Sequence, residues 1–264
     1  MTTSSYDIIA EVYDEDMGRN VGDEDVRFYV KQCADSLSKV LEMGCGTGRI
    51  AIPLVKAGCT VVGIDSSAAM LERLRLKSQT ELSQEEQKRI AWCHADMSTY
   101  RSQRQFHRVI CPYSAFTYVV DDGERRVALE SVRRNLLPNG RFVLDVFVPN
   151  KQYADLPETH VFHDYERSLP DGTLLKRTKT IRQDHATKIN VITRRYEFLD
   201  SNGRPIKDLI MVDRIRTYEP NDLRAMLEEN GFDVIDICAD FDGRNFTKDT
   251  RTAAFVCRTK ARSS

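Results

Sequence analysis

Between residues 40 and 148, short apolar runs alternate with polar stretches of helical periodicity, and few folds are compatible with that rhythm. Strands and helices in alternation build βαβ units, and βαβ units build a parallel sheet covered by helices. The runs predict strands at Lys39 to Met43, Cys59 to Ile64, Ile90 to His94 and Val109 to Pro112. A fifth is expected from Arg141 to Val148, after the turn Pro138-Asn139-Gly140. Between the first two strands Ile50, Leu54 and Val55 recur at helical spacing, and Gly58 follows as a C-terminal stop. Ser66 or Ser67 is placed to cap the next helix, whose apolar positions are Met70, Leu71 and Leu74.

The rhythm changes after Asn150. From about 159 to 218 the chain reads as four strands rich in Thr, Ile, Val, Tyr and Arg, punctuated by Asp171-Gly172 and Asn202-Gly203, two strong hairpin dipeptides. Helical periodicity returns from Pro220 to Asn230, with Gly231 as its stop, and strands follow at Phe232 to Ala239 and Thr252 to Arg258. The expected division is an α/β core of residues 1–149 and 219–264 and an antiparallel β insertion of residues 150–218.

A chain of 264 residues can bury a full core of this kind. Its net charge of -1 leaves no footprint for a nucleic-acid partner. The seven cysteines show neither CxxC pairs nor metal-like spacing and read as buried free thiols, as in a reducing compartment. The start lacks the marks of a signal peptide, and no apolar run approaches the roughly 20 residues of a membrane span. A cytoplasmic protein with no nucleic acid, membrane or metal partner is expected.

The first strand runs into Met43-Gly44-Cys45-Gly46-Thr47-Gly48, so a glycine loop sits at a strand's carboxyl end, where open α/β sheets bind ligands. Its spacing is GxGxG, whereas a dinucleotide pyrophosphate is seated by GxGxxG. Asp65 ends the second strand, where an acid can accept from two ribose hydroxyls or cap the following helix. Asp96 and Met97 end the third, suited to an adenine amine and an adenine face.

These residues, with Tyr6-Asp7-x-x-Ala10-x-x-Tyr13-Asp14, Leu41-Glu42 and Leu137-Pro138-Asn139-Gly140-Arg141, make a pattern that resembles the class I S-adenosylmethionine-dependent methyltransferases. It is similar to the small-molecule branch with an antiparallel insertion, which includes amino-sugar and peptide-terminus N-methyltransferases. The resemblance implies a Rossmann-like, seven-stranded, mostly parallel sheet with helices on both faces and its last strand antiparallel, and S-adenosylmethionine as cofactor. It implies cofactor contacts from Gly44, Cys45 and Gly46, from Asp65, Ser66 and Met70, and from Asp96, Met97 and Cys111. By the same likeness Glu42 organises the glycine loop or lies near the cofactor's amino group, with plain capping of backbone donors as the alternative. Arg49 either meets the methionine carboxylate or faces solvent in the first turn of its helix. Tyr13 belongs to an N-terminal lid within residues 1–30 that touches cofactor and acceptor, or to a helix packed by Ile9 and Val12.

A methyl sulfonium is already reactive, so catalysis requires alignment and exclusion of water more than a nucleophile. The loop Cys111-Pro112-Tyr113-Ser114-Ala115-Phe116 flanks the methyl group in the family, which makes Tyr113 and Tyr13 the candidate catalytic residues. The loop lacks the Asn or Asp that precedes Pro-Pro-Tyr in enzymes acting on nucleobases or glutamine. The insertion is expected to cover the acceptor, a small amine by resemblance, with methylation of oxygen as the alternative. Dimerisation through the same sheet is its competing use. The insertion's arginines, Arg177, Arg182, Arg194, Arg195, Arg214 and Arg216, are expected on a solvated face, with a pocket for an acidic substrate as the alternative.

Overall fold

Val40, Leu41 and Met43 are buried in strand β1 (Lys39–Met43), an interior strand of the larger of two sheets. The computed structural model describes residues 4–20, 22–34, 38–149, 156–247 and 249–260. Before β1 lie a 3-10 turn at Ser5–Ile8 and helices α1 (Tyr13–Asn20) and α2 (Glu24–Cys33). After it, helices and strands alternate: α3 (Ala51–Lys56), β2 (Thr60–Asp65), α4 (Ala68–Glu81), α5 (Gln84–Gln87) and β3 (Ile90–His94). Then come β4 (Phe106–Cys111), a 3-10 turn at Ala115–Tyr118, α6 (Asp122–Asn135) and β5 (Leu136–Phe147). The smaller sheet is formed by β6 (Phe162–Ser168), β7 (Leu174–Asp184), β8 (Ile189–Leu199) and β9 (Pro205–Arg216). Helix α7 (Pro220–Glu229) and strands β10 (Phe232–Ala239) and β11 (Thr252–Thr259) return to the first sheet. Among the described residues no helix is long and apolar enough to cross a membrane.

The seven-stranded sheet has the order β10-β11-β5-β4-β1-β2-β3. All neighbours pair in parallel except β11, which is antiparallel to both β10 and β5. Because strand side chains alternate, Leu41, Phe142 and Leu144 pack under α6 and α7, while Val40 and Val143 pack under α2, α3 and α4. The chain reverses direction through the sheet at β1, so the crevice beyond the carboxyl ends of β1 and β4 is the topological switch point. Ser67 caps α4 by accepting from the Met70 amide at 3.1 Å, and Gly58 closes α3 with φ +97°.

Two expectations are corrected. Strand β5 starts at Leu136 rather than Arg141: Phe106 pairs with Leu136 and Arg108 with Arg141, so Pro138-Asn139-Gly140 swells out as a bulge inside the strand. The insertion's arginines do not share one face. In β8, Arg194 lies on the side of buried Ile192, Tyr196 and Phe198, while Arg195 is exposed on the other. Arg177, opposite Tyr196, also faces inward. Both inward guanidiniums are paired, Arg194 with Asp213 and Arg177 with Asp16 and Asp164.

The insertion's strands are joined at Asp171-Gly172 and Asn202-Gly203, where the glycines take φ +85° and +76°. Residues 150–155 of the expected insertion lie outside the described residues. The inner face buries Leu175, Tyr196, Phe198 and Met211 against Ile9 and Val12 of the N-terminal segment. Its outer face leaves Ile206, Ile210 and Val212 exposed.

Candidate active site

The loop from Gly44 to Gly48 is tied to the end of β2, where the Ile64 carbonyl accepts from the Gly44 and Cys45 amides at 2.8 and 3.0 Å. Gly46 takes φ +51°, and no atom lies within 4 Å of where its Cβ would stand, so the loop presents bare backbone to open space. Gly48, at φ +84°, has a different role: a Cβ there would fall 2.3 Å from Leu74 Cδ1, and the glycine lets α4 approach.

Asp65 serves as both ligand-facing acid and local brace. Its carboxylate accepts from the Gly46 amide at 2.7 Å and the Ser67 amide at 2.8 Å, joining the glycine loop to the start of α4. Burial raises its pKa while the two amides hold it down. The Ser66 carbonyl accepts from His94 Nε2 at 2.9 Å, which makes that histidine structural. Asp96 accepts from the Ser98 amide at 2.7 Å and from the Ser98 hydroxyl.

A cavity of about 250 Å³ opens among these groups. Gly44, Gly46, Asp65, Ser66, Met70, Asp96, Met97, Tyr13 and Tyr113 all line it. The other four predicted residues stand behind the wall. Cys111 is buried at the end of β4, and Cys45 is buried with its Sγ over the Gly63 backbone. Arg49 neither faces solvent nor points a free fork at the cavity. It makes a two-point ion pair with buried Asp25 of α2 and lies over the Tyr113 ring, 5.3 Å from its centroid. Glu42 is buried, its Oε2 has no hydrogen-bond partner, and burial pushes its carboxyl well above the usual range. Phe116, of the same loop as Tyr113, is 1% exposed and belongs to the core.

Sequence reasoning missed Asp145. This buried acid near the end of β5 accepts from the Tyr113 amide at 2.7 Å, the Ser114 amide at 2.9 Å and the Tyr29 hydroxyl at 2.7 Å. It thereby holds Tyr113 and Ser114 at φ +54° and +55°, a left-handed conformation that non-glycine residues disfavour. The available signal was a lone charge inside the apolar run Phe142-Val143-Leu144-Asp145-Val146.

The N-terminal segment forms the remaining wall through Ser4, Ser5, Tyr6 and Tyr13. Its acids fasten it on three sides. Asp7 accepts from the Ser67 hydroxyl at 2.6 Å, and Asp14 from the Thr47 hydroxyl at 2.6 Å and Lys77 at 3.0 Å. Asp16, also buried, takes Arg177 at 2.6 Å and the Tyr165 and Tyr196 hydroxyls at 2.5 and 3.2 Å. Ser5 donates to Asp213 of β9 at 2.8 Å, and the Tyr6 and Tyr118 hydroxyls meet at 2.7 Å. Ile9 and Val12 pack against the insertion rather than an edge of the larger sheet. Burial pushes the Tyr13 hydroxyl well above its ordinary pKa and that of Tyr113 up to about 12, so both stay protonated at neutral pH.

The arrangement fits S-adenosylmethionine on three independent features. Bare backbone at Gly46 leaves room for close approach, Asp65 is a carboxylate with lone pairs to spare, and Glu42 Oε2 is a buried acceptor without a partner.

Comparison with known proteins agrees. A methyltransferase-domain family matches residues 40–140. Glycine/sarcosine N-methyltransferase of Aphanothece halophytica is 27% identical over 217 residues, covering 81% of this chain and 74% of that one. The dTDP-3-amino-3,6-dideoxy-alpha-D-glucopyranose N,N-dimethyltransferase of Streptomyces fradiae is 28% identical over 142 residues, 52% of each chain. Among solved structures, the CcbJ methyltransferase of Streptomyces caelestis superposes with a TM-score of 0.79 at 24% identity, covering 98% of this chain and 99% of that one. With the fold, the cavity and these likenesses in agreement, residues 40–140 form a methyltransferase domain, and the chain around it is similar to methyltransferases of glycine and of an amino sugar.

Proposed function

We propose that the protein transfers a methyl group to the nitrogen of a small amine, beneath a roof made by the N-terminal segment and the insertion of about residues 150–218. The observation that carries this reading is the joint wall of the cavity. Tyr6 and Tyr13 from the N-terminal segment meet Tyr113 and Tyr118 from the region after β4, and Asp16 and Ser5 tie that segment to the insertion's inner face. Aromatic faces suit a cationic sulfonium and an amine alike. Two curated relatives bear names as N-methyltransferases of an amino sugar and of glycine, which supports nitrogen over oxygen.

Bound S-adenosylmethionine supplies a methyl group already activated on sulfur. Asp65 would hold the ribose hydroxyls, Ser66 and Met70 would flank them, and Asp96 and Met97 would receive the adenine. The bare backbone of Gly44 and Gly46 would admit the methionine end close to Glu42. Cys45, Arg49 and Cys111 would act from behind the wall, Arg49 by stacking on Tyr113. Tyr13 and Tyr113, as protonated hydroxyls, would orient the acceptor rather than take its proton, so the nitrogen must arrive neutral with its lone pair free, and the methylammonium formed as the carbon–sulfur bond breaks would give its proton to solvent on release. Closure of the roof excludes water from the sulfonium.

Incubation with methyl-labelled donor and a fractionated extract, followed by mass spectrometry of the labelled product, tests the reading. An N-methylated small amine is expected. A product labelled on oxygen or carbon overturns the amine assignment.

A further inference from the structure

A second cavity, of about 470 Å³, lies between α6, α7 and the base of the insertion. Two buried side-chain polar atoms that have no hydrogen-bond partner, Arg125 Nε and the Tyr218 hydroxyl, belong to residues lining this cavity. Arg125 is 5% exposed and Tyr218 is 4% exposed. The two are electrostatic neighbours. Both orphaned groups can donate, one of them from a cation, so an acceptor oxygen bearing negative charge would complete them. Arg126 and Arg216 line the same cavity. Nearby acids neutralise part of this charge: Arg125 pairs with Asp122, Arg216 approaches Asp122 at 3.6 Å, and Lys188 pairs with Asp222 at 2.7 Å. Asp122 is itself 72% exposed at its side chain, so it can turn out to water when a better acceptor arrives.

We propose that this cavity is a binding site for a compact oxyanion, a carboxylate or a phosphate, held by Arg125 and Arg216 with the Tyr218 hydroxyl as the neutral donor. The site abuts the wall of the donor cavity. Arg125 Nη1 donates to the Val120 carbonyl at 2.6 Å, Val119 lines the donor cavity, and the Tyr218 ring lies 6.2 Å from that of Phe116. An anion drawing on Arg125 therefore pulls on the segment from Phe116 to Val120, which gives the ligand a route to influence methyl transfer.

Isothermal titration of the full chain with inorganic phosphate and, separately, malonate at constant ionic strength tests the proposal. One probe is expected to bind saturably at one site with a Kd below about 1 mM, and the tighter of the two identifies the oxyanion. Arg216→Gln and Tyr218→Phe should each weaken that binding at least about tenfold while donor affinity is retained. Tyr218→Phe should also melt no lower than the parent without ligand, because it deletes an unpartnered hydroxyl. Absence of saturable binding by either probe, or equal binding by parent and variants, overturns the proposal. So does a Tyr218→Phe protein that melts lower yet binds normally, since a fixed water would then be the hydroxyl's partner.

Discussion

The Asp145 carboxylate accepts the Tyr113 amide at 2.7 Å, fixing a residue 32 positions earlier in the chain in a conformation that Tyr113's own side chain disfavours. Two successive left-handed residues cost roughly 1–2 kcal/mol each. Hydrogen bonds to a charged acceptor contribute about 1.5–3 kcal/mol each, so the carboxylate outweighs the strain. Asp145→Asn keeps the size but offers one acceptor where two amides and a hydroxyl donate. Turnover should fall by about tenfold or more, a barrier increase of about 1.4 kcal/mol, with donor affinity nearly retained. Parental turnover in the folded variant would detach this loop from the chemistry.

The same acid should leave a trace in the pH dependence of stability. Burial pushes its carboxyl up to about 6, against the pull of Tyr29, Ser114 and Tyr113. An unfolded aspartate titrates near ~3.9. Between those values the folded protein binds the proton more tightly than the unfolded chain, so stability from this group is complete below about pH 4 and is lost as pH rises through about 6. The difference in unfolding free energy between parent and Asp145→Asn, measured in urea, should therefore shrink across that window by on the order of 2 kcal/mol. A difference that is flat or rising across it contradicts the assignment.

Asp65→Ala should weaken binding of S-adenosylmethionine and of its demethylated product by roughly thirty- to a thousandfold, from about 2–4 kcal/mol of lost hydrogen bonding. The variant also frees the Gly46 and Ser67 amides, so part of the loss comes from a loosened glycine loop. Calorimetry gives the constant, and an unchanged value in a folded protein would remove Asp65 from the donor site.

Tyr13→Phe should lower turnover or donor affinity while the melting temperature moves by less than about 2 °C, because only a hydroxyl facing the cavity is lost. Asp16→Asn should lower both turnover and stability, the latter by about 1.5–3 kcal/mol, because it takes a charged partner from Arg177, which keeps only Asp164. Thermal melts run beside steady-state kinetics separate the two patterns. Equal melting losses in both variants would make the segment a packing element alone.

The strands of the larger sheet, the glycine loop and the acids at Asp65 and Asp96 are legible in the sequence because each is a local signal: a strand, then a turn residue, then a helix cap. The braces are illegible for the opposite reason. Asp25 with Arg49, Asp16 with Arg177 and Asp145 with Tyr113 join residues from different elements, and nothing near either partner in sequence names the other. The inward arginines escape for a third reason. Arg194 shares the parity of Ile192, Tyr196 and Phe198 in β8, but a charged side chain reads as solvated until its neutralising partner, Asp213 of β9, is known.

The placement of Ile9 and Val12 limits how the enzyme's selectivity can be re-engineered. Both are buried against the insertion, while Tyr6 and Tyr13 beside them line the donor cavity. Excising the insertion would strip the N-terminal segment of its apolar seat and disturb donor binding too. The first residues of the chain and a sheet more than a hundred residues downstream thus form one transplantable cassette. On the proposed function, exchanging acceptor preference between relatives requires moving both pieces together, for a chimera that carries only the sheet would set foreign side chains against Ile9 and Val12.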